Sequence, residues 1–169
     1  MKQIVFKYNG NGFLAWGYSV VLFSALIYAC LIFTGNDLFY LLYLGVPISA
    51  NVIVRLKNKS NTASTTEKLI DNIWSLFGLI AVLSCIGRYF YEYPLFALIS
   101  LLMGIETIIT GVILKRKVIV ICGFVGVLGT VPLVLINGYN QLVIISIIFL
   151  FISAIPGHIL NRKPVLINP

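Results

Sequence analysis

Six long apolar runs separated by short polar breaks decide most of what this chain can fold into. They cover residues 13–33, 38–54, 69–87, 95–114, 118–136 and 141–160. About 20 apolar residues in a helix cross a hydrocarbon layer about 30 Å thick. Inside lipid, backbone N–H and C=O groups must find partners within their own segment, so each run predicts a helix. Only 10% of the residues are charged, against roughly 25% in soluble domains, which is too few to cover a water-facing surface. The prediction is an all-α membrane protein, a bundle of about six transmembrane helices. Residues 1–12 and 161–169 are short tails around a transmembrane domain of residues 13–160. Pro47 and Asn51 in the short second run allow a tilted or re-entrant segment there, although a full span is the main expectation.

The basic residues orient the bundle. Lys2 and Lys7 precede the first run; Arg55, Lys57, Lys59 and Lys68 fall between the second and third. Lys115, Arg116 and Lys117 separate the fourth and fifth, and Arg162 and Lys163 follow the sixth. Only Arg88 lies on the other side. Short loops rich in Lys and Arg stay cytoplasmic, which predicts an N-in, C-in topology. The net charge of +7 is thereby a topological signal, and the basic loops lack the interleaved aromatics of a nucleic-acid surface. Phe39, Tyr40, Tyr43, Tyr89, Tyr91, Tyr93 and Tyr139 gather near the opposite helix ends, as an interfacial aromatic belt does. The first run is longer than a signal-peptide core and no small-residue cleavage site follows it, so it is expected to be retained.

Few residues in the runs carry chemistry. Cys30, Cys85 and Cys122 are widely spaced within apolar stretches, which fits packing and neither a disulfide framework nor a zinc site. Glu106 is the one acidic residue deep in a run, nine residues before Lys115, or about 13 Å of helix. A charged group at that depth costs roughly 2.5 to 3.5 kcal/mol on insertion scales, so it should face protein or water and find a partner. Counting depth from the cytoplasmic ends puts Tyr18, Asn51, Ser75, Ser153 and His158 in the same half of the bilayer. The expectation is a polar cluster of several of these around Glu106, serving as a proton or ligand contact or simply as a bonded neutral acid. His158, the only histidine, follows Pro156. There it is expected to serve a carbonyl freed by the proline or to sit at headgroup level.

Small residues predict where helices meet. Gly104, Thr107 and Gly111 punctuate the fourth run; Cys122, Gly126 and Thr130 recur at every fourth position in the fifth, with Gly123 and Gly129 beside them. Such spacing lets backbones approach closely, which predicts a tight hairpin of the fourth and fifth helices and equally allows a dimer face. Walker A, His-Glu-x-x-His and Gly-x-Ser-x-Gly patterns do not occur. No catalytic, cofactor-binding or metal-ligating residues are predicted.

Three strings carry a resemblance: Asn9-Gly10-Asn11-Gly12-Phe13-Leu14-Ala15-Trp16-Gly17-Tyr18, Leu102-Met103-Gly104-Ile105-Glu106-Thr107 with Thr110-Gly111, and Ile155-Pro156-Gly157-His158-Ile159-Leu160. Together they resemble a family of small, uncharacterised multi-span bacterial membrane proteins, the Pro-Gly-His string being the most specific part. The resemblance implies a bacterial inner-membrane location and six spans, and no activity. The family pattern differs in having a charged helix before the first span and a small residue where Glu106 stands. The expected function is that of a non-enzymatic accessory or interaction protein whose partners are the lipid bilayer and a membrane protein or further copies of itself. The alternative is a small transporter or channel subunit using Glu106, with Pro132 and the second run as helix breaks. An enzyme acting on lipid ranks third.

Overall fold

The computed structural model describes residues 6–8, 10–57, 65–88, 90–162 and 165–167. Six helical stretches in it are long and apolar enough to cross a membrane, and the chain is a multi-pass helical bundle. Helix α1 (Asn11–Thr34) ends at Gly35, whose φ of 64° lets its N–H turn back to the Leu31 carbonyl at 2.8 Å. The left-handed backbone at that position favours glycine. The second span is composite. A 3-10 helix (Asp37–Leu44) starts at Asn36, whose side chain accepts from the Leu38 N–H at 3.0 Å, and runs into α2 (Gly45–Lys57). At 2.0 and 1.5 Å per residue the pair extends about 35 Å, a full crossing. The change of helix type falls at Gly45, and Pro47 sits in the first turn of α2, where its missing N–H interrupts nothing. A Cβ on Gly45 would stand 2.7 Å from the Phe23 ring of α1.

Helix α3 (Thr65–Gly87) is followed by α4 (Leu95–Ile113), α5 (Lys117–Leu128) and α6 (Thr130–Leu135). The turn between α4 and α5 takes only three residues. Arg116 N–H bonds Gly111 O at 2.9 Å and Lys115 N–H bonds Val112 O at 3.0 Å, with Lys115 at φ 53°. This is the Schellman arrangement, with lysine where glycine is usual. Pro132 cannot donate to the carbonyl a turn earlier, and the fifth span is divided at Gly129. The sixth span comprises α7 (Asn140–Phe149), a π-helical segment (Leu150–Ala154) and α8 (Ile155–Arg162).

Helix α4 is the centre of the bundle. Its glycines allow contact at backbone level: a Cβ on Gly104 would stand 2.7 Å from Val127 N and 2.9 Å from Gly123 O, and one on Gly111 would stand 2.7 Å from Val120 N. A Cβ on Gly126 would lie 2.9 Å from the Gly104 Cα. The small-residue faces are thus used within the chain, between α4 and α5, with Cys122 buried alongside. A main core cluster joins Val20 and Ile27 of α1 to Met103 of α4 and to Ile145 and Phe149 of α7. A smaller one, toward the basic end, holds Phe13, Ile70, Ile119 and Leu160. Helix α3 is the exception: Ile70 is its one buried residue, and α4 is its principal neighbour.

The two tails are not separate. Strands β1 (Phe6–Tyr8) and β2 (Val165–Ile167) pair antiparallel, with Lys7 opposite Leu166. This ribbon is the one addition to an otherwise helical fold among the described residues.

Candidate functional site

Glu106 is fully buried, and neither carboxyl oxygen has a hydrogen-bond partner among the described residues. It occupies the face of α4 between Met103, which packs into the main core, and Thr110, whose hydroxyl accepts from Trp74 Nε1 of α3 at 3.3 Å. The expected cluster does not assemble around it. Asn51 is exposed and donates to Pro47 O of its own helix at 2.8 Å, and Ser75 is exposed on α3. Ser153 is buried but donates to Phe13 O at 2.8 Å. Tyr18 and His158 pair with each other, Oη to Nε2 at 2.8 Å, on an exposed face. The physical reason is rotation: depth along the bilayer normal does not fix which way a helical side chain points, and successive residues turn by about 100°.

His158 therefore does not serve the proline break. Pro156 has no N–H for Ile152 O four residues earlier, and the Thr107 hydroxyl of α4 reaches that oxygen at 3.4 Å while donating to Met103 O at 2.8 Å. Other small hydroxyls of α4 are likewise spent on backbone: Ser100 donates to Gly126 O at 2.8 Å. Thr130 is a second orphan, its buried hydroxyl lacking a partner among the described residues.

Two of the sequence strings that carried the family resemblance meet in space. A Cβ on Gly10 would lie 2.1 Å from Gly157 O, and one on Gly157 would lie 2.7 Å from Leu14 Cγ. Gly10 N–H also donates to Asn161 Oδ1 at 2.8 Å, and Gly17 faces Ser153 and Ala154 closely. These positions form the seam between the start of α1 and the sixth span. Their residue types answer to packing and capping.

A large concavity lies at the opposite end, where the basic loops are not. It is a cleft of about 780 Å³ walled by the 3-10 segment, the ends of α3 and α6 and the starts of α4 and α7. Asp37, Arg88 and Glu92, the charged residues of this end, all line it, together with Tyr40, Tyr43, Tyr93 and Tyr139. The tyrosines have different duties. Tyr43 turns inward to Ser24, Oη to Oγ at 2.5 Å, and packs edge-on to Phe96 with ring centres 5.6 Å apart. Tyr93 donates to the Ser84 carbonyl and so ties the α3–α4 connection to the end of α3. Gln141 donates to Leu133 O at 2.9 Å and Ile136 O at 2.7 Å, closing the end of α6.

Below the cleft a narrow slot of about 60 Å³ shares Tyr43, Leu44, Cys85, Phe96 and Ile99 with it. The slot runs down between α2 and α3 to Trp16 and Met103, and its lining is almost wholly apolar. Glu106, one turn beyond Met103, lines neither space.

The aromatic belt expected from the sequence thus contributes part of a cleft wall. Tyr91 is exposed, Phe39 packs on the core, and Tyr89 lies outside the described residues. The missed signal was charge. In a chain so poor in charges, three of them in the short connections of one end point to a shared polar site. No protein-family model, curated protein or solved structure matches the chain.

Proposed function

We propose that this chain is a non-enzymatic accessory protein of a bacterial inner membrane, N-in and C-in, that works by binding at the cleft between its non-cytoplasmic helix ends. The observation that carries this reading is the convergence of Asp37, Arg88 and Glu92 with four tyrosines on one open cleft. A few polar groups converging on a large, partly apolar concavity are the usual signature of a binding site. The bacterial inner membrane is supported by the one-sided basic loops and by the resemblance of the three strings.

The test is photo-crosslinking in native membranes from a probe residue placed at Tyr139 in the cleft, with Leu128 on the outer surface of α5 as the control position. The expected result is a discrete, saturable adduct from position 139 that position 128 does not give. The same diffuse labelling at both positions would overturn the cleft reading.

A second reading rests on Glu106. Its two oxygens, without partners among the described residues, suit a small transporter or channel subunit, since ionisable groups within a membrane usually mark an ion or substrate path. Flux through proteoliposomes that disappears in Glu106→Gln would favour it over the accessory role.

A further inference from the structure

We infer that cleft and slot together hold one zwitterionic amphiphile, its head in the cleft and a short stretch of one hydrocarbon tail in the slot, the rest of the tail passing out between α2 and α3 into the bilayer. The inference rests on the reading of the cleft as a binding surface and names the class of molecule bound there.

Charge selects the head. Arg88, Asp37 and Glu92 all line the cleft, and none forms an ion pair with another described residue. A purely anionic head would bring its charge against two carboxylates, and a purely cationic one would leave the guanidinium unused. A head carrying phosphate and ammonium answers both. Guanidinium suits phosphate oxygens, which it can grip with two parallel N–H donors. An ammonium gains from the carboxylates and from the faces of neighbouring tyrosines, whose ring electrons attract a cation.

The slot selects the tail. It continues directly from the cleft through the shared Tyr43, Cys85 and Phe96, and it is narrow and apolar in its lining. A methylene chain has no polar group to satisfy there, while a head would lose its hydration without replacement. Gly78 on α3 keeps the slot open. A Cβ at this position would lie 3.6 Å from the Trp16 ring, an ordinary contact, so a larger side chain there fills the slot without forcing the backbone apart. The loose packing of α3, with Ile70 as its one buried residue, gives a tail lateral access from the bilayer.

Trp16 supplies the readout, because it lines the slot and a brominated tail within it quenches tryptophan emission. The purified full-length chain in detergent micelles is titrated with phosphatidylethanolamine bearing brominated acyl chains. Phosphatidylglycerol with the same chains is titrated likewise, and tail-free glycerophosphoethanolamine, which carries no bromine, is read as a competitor that relieves the quenching. The expected result is saturable quenching by the zwitterionic lipid, weakened tenfold or more in Gly78→Leu and in Arg88→Ala, with Gly78→Ala as the folding control. The anionic lipid and the tail-free head should bind at least tenfold more weakly. Quenching indifferent to head and to all three variants would mean annular lipid only and would overturn the proposal. Binding of the tail-free head as tightly as the lipid, unaffected by Gly78→Leu, would overturn the amphiphile and leave the cleft reading standing. No binding of any probe, together with no discrete adduct from position 139, would overturn both.

Discussion

Replacing Glu106 by leucine should stabilise this protein. The side chain is fully buried and both oxygens lack partners among the described residues, so the native state carries the desolvation penalty of an unsatisfied polar group, about 1 to 3 kcal/mol. Leucine is close in volume, and a near-isosteric swap in a packed core costs less than about 1.5 kcal/mol. The reference state matters too, because an unfolded helix in a micelle lets the carboxyl reach water, whereas leucine has nothing to gain there. The net expectation for Glu106→Leu is a gain of about 1 to 2 kcal/mol, a five- to thirtyfold shift toward the folded form. Glu106→Gln keeps a polar group of the same shape in the same orphaned position and should stay within about 0.5 kcal/mol of the natural protein. The assay is reversible unfolding in mixed micelles of rising denaturing-detergent fraction, followed by tryptophan emission and far-ultraviolet circular dichroism. A leucine variant less stable than the natural chain would refute the reasoning, because the carboxyl would then be making stabilising bonds. A glutamine variant as stabilised as leucine would refute it differently, by showing that the penalty comes from charge alone.

Three further outcomes follow from the packing. Gly104→Val should destabilise by about 3 kcal/mol or more, beyond ordinary overpacking, because its Cβ would meet Val127 N at 2.7 Å and Gly123 O at 2.9 Å; the same micelle titration reads it. Gly10→Ala drives a methyl to 2.1 Å from Gly157 O, so the start of α1 must pull away from the sixth span; hydrogen exchange by mass spectrometry should show lost protection confined to the two tails and this seam. Lys115→Gly should stabilise by about 1 kcal/mol, the cost of holding a side chain in left-handed backbone, where φ is 53°; an unchanged unfolding midpoint would contradict the Schellman assignment.

Much of this fold was written in hydropathy, because the bilayer imposes one strong rule on backbone hydrogen bonds. All six runs became spans, and Gly104, Gly111 and Gly126 became the α4–α5 contact for the reason their spacing suggested. The local breaks were legible in kind but not in place. Pro47 marked the second span as unusual, yet the change of helix type came at Gly45, because a proline in a first helical turn disturbs nothing. The pairing of β1 with β2 was hidden, since three-residue strands leave no periodicity to read.

The candidate site shows where one-dimensional reading stops. Depth can be counted along a sequence, and it put Glu106, Asn51, Ser75 and Tyr18 in the same half of the bilayer. Azimuth depends on how each helix is rotated by its neighbours, and the packing turned Asn51 and Ser75 outward and Tyr18 to His158. In the cleft the relation is reversed. Asp37, Arg88 and Glu92 come from two different connections, and they converge because α3, α4 and the 3-10 segment end side by side. A charge in a short connection has little freedom to be anywhere but the rim of the bundle. Had the site been sought among the few charges held at one rim instead of the lone acid within, sequence alone would have named these three residues, though not the slot beneath them. The slot depends on Gly78 and Trp16 facing each other across α3 and α1. That juxtaposition belongs to tertiary packing, which neither helix encodes alone.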